Sequence, residues 1–214
     1  MQTKLSCDII SSINMEKKIK KNDEIIVEIE RLGDNGEGIA IYDGIVVFVP
    51  FAKVGEKVKV HIINDKKSFL VGKIIEKYSA LKNEVVPLCP YFYKCGGCDI
   101  QHFSETEQLS FKKEMVRNSL NKYAKIDCEI NDVVPSDKWF RYRNKFAFPV
   151  QDHNGEIKIG MYRKNSHNII EIEDCLLQSE KARTILKLFK EYMIENKISA
   201  YNEQTNKGTI KQIV

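Results

Sequence analysis

Apolar residues in this chain alternate at period two in two regions and recur at helical spacing in two others. Between Asp23 and Lys77 the pattern is that of short strands. Ile25 to Ile29 is largely β-branched, Ile45 to Val49 is a second apolar run closed by Pro50, Lys57 to Ile63 alternates, and Phe69 to Lys77 makes another strand. Gly33 to Gly38 and Val54-Gly55-Glu56 punctuate them as turns. Several short strands separated by glycine turns predict a small β-barrel. Phe48 and Phe51 are expected to pack in its core or turns.

The pattern then changes period. Ser104-Glu105-Thr106-Glu107 is a capping box, in which Ser104 accepts from the first turn and Glu107 reaches back. Leu109, Met115 or Val116, Leu120 and Tyr123 follow at near-helical spacing. Strands return at Lys145 to Val150 and Glu156 to Tyr162, joined by Asn154-Gly155, the pair that favours a type I′ hairpin turn. Ile169 to Ile172 reads as a third strand, and a second helix starts near Ser179 with Ala182, Ile185, Phe189 and Tyr192 as its stripe. A final strand begins within Gly208 to Val214. The fold class expected is mixed: a small OB-like β-barrel, then an α+β domain. The boundaries are a polar tail over 1–15, the barrel over 16–78 and the second domain over 79–214. The tail reads as disordered or as preceding a true start at Met15.

Composition narrows the compartment. The 214 residues are 43% hydrophobic and 30% charged, as in ordinary globular proteins. No apolar run approaches the roughly 20 residues of a membrane helix, and Met1 to Met15 has no signal-peptide core. A cytoplasmic, reducing location is expected, with no membrane partner and a monomeric chain. The formal charge of +4 is concentrated. Between Ser136 and Ile170 seven Lys and Arg face three acids, which accounts for the whole excess.

Cysteine spacing adds the chemistry. Cys89, Cys95 and Cys98 lie in Cys-Pro-Tyr-Phe-Tyr-Lys-Cys-Gly-Gly-Cys, and Cys175 follows 77 positions after Cys98. A close-spaced group with one remote thiolate suits an iron–sulfur cluster. Gly96 and Gly97 permit unusual backbone angles and bring N–H groups near sulfur. A structural zinc site stays open, although zinc ribbons usually carry two short knuckles and this chain has one. Disulfides need an oxidising compartment. Cys7 and Cys128 read as unlinked, buried structural cysteines.

Three segments resemble one family. Gly36-Glu37-Gly38-Ile39-Ala40, Val46 to Ala52 and Val54-Gly55-Glu56 resemble a TRAM domain, a small RNA-binding barrel. Cys89-x₅-Cys95-Gly-Gly-Cys98-Asp-Ile-Gln101-His102 resembles the 4Fe-4S motif of RNA uracil-C5 methyltransferases. Phe140 to Lys145, Gly160 to Arg163 and Ser166 through Cys175 resemble that family's central domain. The resemblance implies a 4Fe-4S cluster on Cys89, Cys95, Cys98 and Cys175. It implies the RNA-recognition portion of an S-adenosylmethionine-dependent 23S ribosomal RNA (uracil-5-)-methyltransferase. Transfer-RNA relatives often lack the barrel and cluster, which favours ribosomal RNA as the partner. The family's S-adenosylmethionine-binding domain, with its nucleophilic cysteine, has no counterpart motif here, so no catalytic residue is assigned and the chain reads as truncated. A stand-alone RNA-binding iron–sulfur protein is the alternative, and a ferredoxin-like redox protein a third.

RNA contact is expected from Arg141, Arg143 and Lys145, which alternate with aromatic residues on an expected strand, and from Arg163, Lys164 and His167.

Overall fold

The computed structural model describes residues 19–79 and 85–214. The expected tail over 1–15, and Cys7 with it, lies outside the described residues.

The first unit is a six-stranded curled sheet. Its strands are β1 (Glu24–Glu28), β2 (Arg31–Leu32), β3 (Gly38–Tyr42), β4 (Ile45–Val49), β5 (Lys57–Asp65) and β6 (Phe69–Lys77). They lie in the order β1-β5-β6-β4-β3-β2. Only Ile29 and Glu30 separate β1 from β2, yet these two strands hold opposite ends of the sheet. One bent strand run therefore closes it, and Glu30 N–H donates to the Ile39 carbonyl across the closure at 2.9 Å. Bulges in the β5–β6 pairing, at Lys59/Val60 and Ile62/Asn64, supply the bend such closure needs. Alternation does the packing: Val58, Val60 and Ile62 point inward with Val27, Val47, Val49 and Leu70.

The sequence signals located β4 and β6 to the residue, but β3 has no counterpart among the expected strands. Its first residue closes the glycine-rich run that reads as a turn. Phe48 packs edge-on against Phe69, as expected for a packing role.

The second unit carries helix α1 (Glu105–Ser119), a π-helical turn over Leu120–Ala124, strands β7 (Phe148–His153), β8 (Glu156–Tyr162) and β9 (Ile169–Glu171), helix α2 (Lys181–Glu195) and strand β10 (Gln212–Ile213). The sheet order is β10-β7-β8-β9. The capping box forms as expected: Ser104 Oγ accepts from Glu107 N–H at 3.2 Å, and Glu107 accepts from Ser104 N–H at 2.6 Å. Asn154 and Gly155 both take positive φ, 57° and 86°, the type I′ geometry between β7 and β8.

Three expectations are corrected. The strand expected from Lys145 begins at Phe148, and Phe140 to Ala147 is irregular. The face of α2 that packs on the sheet uses Leu186, Phe189 and Met193, while Ile185 and Tyr192 are exposed. The expected stripe lies one position off this face, because Leu186 and Met193 extend the same heptad spacing from the other side. Cys128 is exposed, not buried.

The two units touch through side chains. Lys53, at the barrel edge and only 5% exposed, extends to Glu107 at the start of α1. Phe51 joins a cluster of edge-on rings with Phe92 and Tyr93 from the cysteine loop and with His102. Phe51 takes a left-handed φ of 66°, which turns its ring out of the barrel and toward that loop.

Candidate metal centre and its surroundings

The cysteine loop is a compact wrap. Phe92 N–H donates to the Cys89 carbonyl at 3.1 Å, and Cys95 N–H to the Tyr91 carbonyl at 2.7 Å. These bonds fold five intervening residues so that Cys89 and Cys95 approach one another. Gln101 pins the start of the loop, its Oε1 accepting from Cys89 N–H at 2.9 Å. Gly97 N–H donates to Cys95 Sγ at 3.3 Å, an amide–sulfur bond of the kind that steadies a thiolate ligand. Gly96 serves close approach. Its N–H donates to the Tyr162 carbonyl at 2.9 Å, and a Cβ there would come within 3.1 Å of that oxygen.

The loop docks on the sheet beyond β8. Cys95 bridges to Arg163, and Lys164 Nζ meets Asp99 Oδ1 at 2.5 Å while also facing the Phe51 ring. Across the sheet, β9 ends at Glu171 and the chain turns through Asp174 and Cys175. The result is a small cavity of about 20 Å³ lined by Cys89, Cys95, Cys98 and Cys175 together. Phe92, Phe146, Met161, Ile172 and Leu177 supply its apolar wall. Four thiols that are far apart in sequence thus share one cavity.

The electrostatics follow from that crowding. Burial pushes the Cys98 thiol up to about 11, and the neighbouring Cys175, Cys95 and Cys89 add to the rise. Burial likewise raises Cys89 and Cys95. An apolar cavity with several potential anions is costly unless a cation compensates them. All four cysteines are free thiols. Among the described residues, no three His, Cys, Asp or Glu side chains stand in the arrangement that coordinates a single metal ion.

The cationic residues singled out in the sequence divide into two groups. Arg141 does not face outward. Its Nη1 and Nη2 donate to the two Asp174 oxygens at 2.7 and 2.6 Å, and Nη1 also donates to the carbonyls of Cys175 and Gln178. The expected alternation of faces is absent because the segment is not a strand. Lys164 is held by Asp99, and His167 pairs with Glu203 and lies beside the Tyr162 ring. Arg143, Lys145 and Arg163 are exposed, and none has an ion-pair partner among the described residues. Arg143 lies over the Phe146 ring at 5.6 Å.

Sequence reasoning missed Gln101, Asp174 and Lys53 as structural determinants. Gln101 stands inside the cysteine motif, three residues after Cys98, and Asp174 directly precedes Cys175, which was the available signal. Nothing local announced Lys53, whose partner lies 54 positions away.

Comparison with known proteins now defines the class. Residues 18–75 match the TRAM domain family, so the barrel is a TRAM domain. The chain is 42% identical over 205 residues to an uncharacterized RNA methyltransferase of Clostridium acetobutylicum, covering 94% of this chain and 45% of that protein. It is 38% identical over 196 residues to an uncharacterized RNA methyltransferase of Clostridium tetani, covering 92% and 43%. Its fold matches the crystal structure of the Pyrococcus abyssi tRNA (uracil-54, C5)-methyltransferase in complex with S-adenosyl-L-homocysteine, with a TM-score of 0.62 and 25% identity, over 87% of this chain and 41% of that one. The chain belongs to the RNA methyltransferase family. It spans a little under half the length of the curated relatives it matches. No helix among the described residues is long and apolar enough to cross a membrane.

Proposed function

We propose that this chain is the RNA-recognition and iron–sulfur portion of an S-adenosylmethionine-dependent RNA (uracil-5-)-methyltransferase. The observation that carries the reading is the convergence of Cys89, Cys95, Cys98 and Cys175 on one cavity within a TRAM-containing chain of this family. The donor set fits a 4Fe-4S cluster: four thiols, an apolar wall and an amide N–H on sulfur. A single zinc ion would need all four sulfurs at roughly 2.3 Å from one point. The cluster is preferred to zinc because one close-spaced cysteine group with a single remote thiolate is the spacing of iron–sulfur ligands, whereas zinc ribbons carry two short knuckles. Bound, the cluster would tie the Cys175 segment to the cysteine loop.

RNA would be held by the barrel together with Arg143, Lys145 and Arg163. Cations on an exposed surface supply phosphate affinity, and aromatic neighbours supply stacking. Lys164 and His167 are retained as weaker RNA contacts, because each already has an acidic partner.

Ribosomal RNA is the first substrate class proposed. Transfer RNA is the second, favoured by the structural likeness to the Pyrococcus abyssi enzyme. That likeness covers 87% of this chain, so the presence of these domains does not by itself separate the two. Binding of this chain to large-subunit ribosomal RNA fragments and to unmodified tRNA, compared at matched salt, tests both. Preferential binding to the ribosomal fragments is expected. Equal, weak binding to both at physiological salt would count against an RNA-recognition role.

A further inference from the structure

Arg141, an expected RNA contact, has its guanidinium turned onto the segment that carries the fourth cysteine. It adopts a left-handed φ of 58°, a conformation that costs a non-glycine residue roughly 1 kcal/mol or more. Such a conformation persists where the neighbours over-determine it. They do so here. Arg141 N–H donates to the Leu176 carbonyl at 2.8 Å, and Arg143 N–H to the Leu177 carbonyl at 3.0 Å. The guanidinium grips both Asp174 oxygens and the carbonyls of Cys175, at 3.2 Å, and Gln178, at 3.0 Å. Every one of these acceptors lies within two or three residues of Cys175.

The Arg141 side chain is the anchor that reaches both sides of Cys175. β9 stops at Glu171, four residues before the thiol. Beyond the Arg141 contacts, the turn is steadied by its own Gln178-to-Cys175 bond, by Arg143 N–H on the Leu177 carbonyl, by Glu173 N–H on the Tyr91 hydroxyl at 3.4 Å and by the burial of Ile172, Leu177 and Gln178. A looser turn here would let Cys175 swing away from Cys89, Cys95 and Cys98, because its backbone pairing is limited to the short bridge between Arg143 and Gln178.

We propose that Arg141 is the positioning residue for the fourth thiol: its guanidinium fixes the Asp174–Gln178 turn so that Cys175 faces the cavity shared with the other three cysteines. Arginine suits the task because a planar fork can serve a carboxylate and two carbonyls at once, whereas a lysine ammonium is a single point donor. The inference rests on the metal-site reading above, but it concerns the chain's own geometry and is measurable without metal.

The test compares the wild-type chain with Arg141→Lys, Arg141→Ala and the milder Asp174→Asn. In metal-free, reduced protein, iodoacetamide alkylation of each cysteine is followed by peptide mapping, with exposed Cys128 as the internal reference. In anaerobically purified protein, iron and acid-labile sulfide are counted. Wild-type Cys175 is expected to react several-fold more slowly than Cys128. Arg141→Ala should bring it toward the Cys128 rate with little change at Cys95, Arg141→Lys should rescue only in part, and Asp174→Asn should fall between. Iron and sulfide should be lost in the same order. The proposal is overturned if Arg141→Lys or Asp174→Asn, folded by circular dichroism, keeps both the wild-type Cys175 rate and the wild-type iron content. It is equally overturned if these variants lose RNA affinity alone. A wild-type chain without iron or sulfide that still shows Arg141-dependent protection would sink the cluster reading and support the positioning role.

Discussion

Lys53 Nζ lies 3.0 and 2.9 Å from the two carboxylate oxygens of Glu107, joining the TRAM barrel to the first turn of α1. The partners are unequal: the lysine side chain is 6% exposed and the glutamate 41%. Lys53 also has its backbone N–H on Glu56 at 2.8 Å, and Lys77 Nζ holds the other oxygen of that buried glutamate at 2.8 Å. A short chain of charges therefore runs from the barrel wall to the helix cap.

The unequal burial predicts unequal mutants. Glu107→Gln retains an acceptor for the capping box but leaves a buried ammonium, so it should cost about 1–3 kcal/mol in urea unfolding. Lys53→Met removes the buried charge and leaves a half-exposed carboxylate, so it should cost less, under about 1 kcal/mol. The reverse ranking would show that the pair does not hold the interface.

The same pair sets a pH dependence. Burial alone would raise the Glu107 carboxyl, but the Lys53 bond and the Ser104 amide bring it below its ordinary value of 4.5. A carboxyl depressed in the folded state contributes stability that is present above its ordinary value and is lost as pH falls through the folded one. The stability gap between wild type and Glu107→Gln should be full at neutral pH and shrink as the pH falls below the ordinary 4.5 and through the lowered folded value. A gap independent of pH would show that the charge is not the cause.

Gly160 offers a steric test of how β9 is held. A Cβ at this position would stand 1.9 Å from the Ile170 carbonyl oxygen, so no side chain fits without separating β8 from β9. Gly160→Ala should cost about 2 kcal/mol or more and lower iron retention, because β9 leads to Cys175. Gly155→Ala is the control. It meets open space at a φ of 86° and should cost only about 1 kcal/mol. Thermal melts and iron counts on both variants separate strain from clash.

RNA contact has its own signature. Arg143→Ala with Arg163→Ala should weaken binding and reduce the salt slope by roughly one per phosphate contact removed. Arg141→Ala should leave the slope nearly unchanged, because its guanidinium is engaged by Asp174 and backbone carbonyls and is not offered to phosphate. A slope lowered by Arg141→Ala and untouched by the double variant would invert the assignment.

Local signals in the sequence were read well where the physics is local. Ser104 and Glu107 form their box because both partners lie within one turn, and Asn154-Gly155 forms its turn because few residue pairs accept two positive φ angles. Strands β1, β4, β5 and β6 of the barrel were visible as β-branched runs and alternation, while β2 and β3 were not. The β3 strand was hidden because Gly38 belongs at once to a turn signal and to a pairing with Val49. The reading of Phe140 to Lys145 as a strand failed for a non-local reason. The backbone there pairs with Leu176 and Leu177, which no periodicity reveals, and the basic residues then fall out of alternation. Cys128 looked buried only on residue type. The cysteine quartet was legible as spacing; that its fourth member depends on Asp174 and Arg141 was not.

The central claim is that the four converging cysteines hold a 4Fe-4S cluster in an RNA methyltransferase chain. It is tested most directly by counting metal and acid-labile sulfide in anaerobically purified protein. About four irons and four sulfides per chain are predicted, with the count collapsing when Cys175 is changed to Ser. One zinc per chain with no sulfide would contradict it.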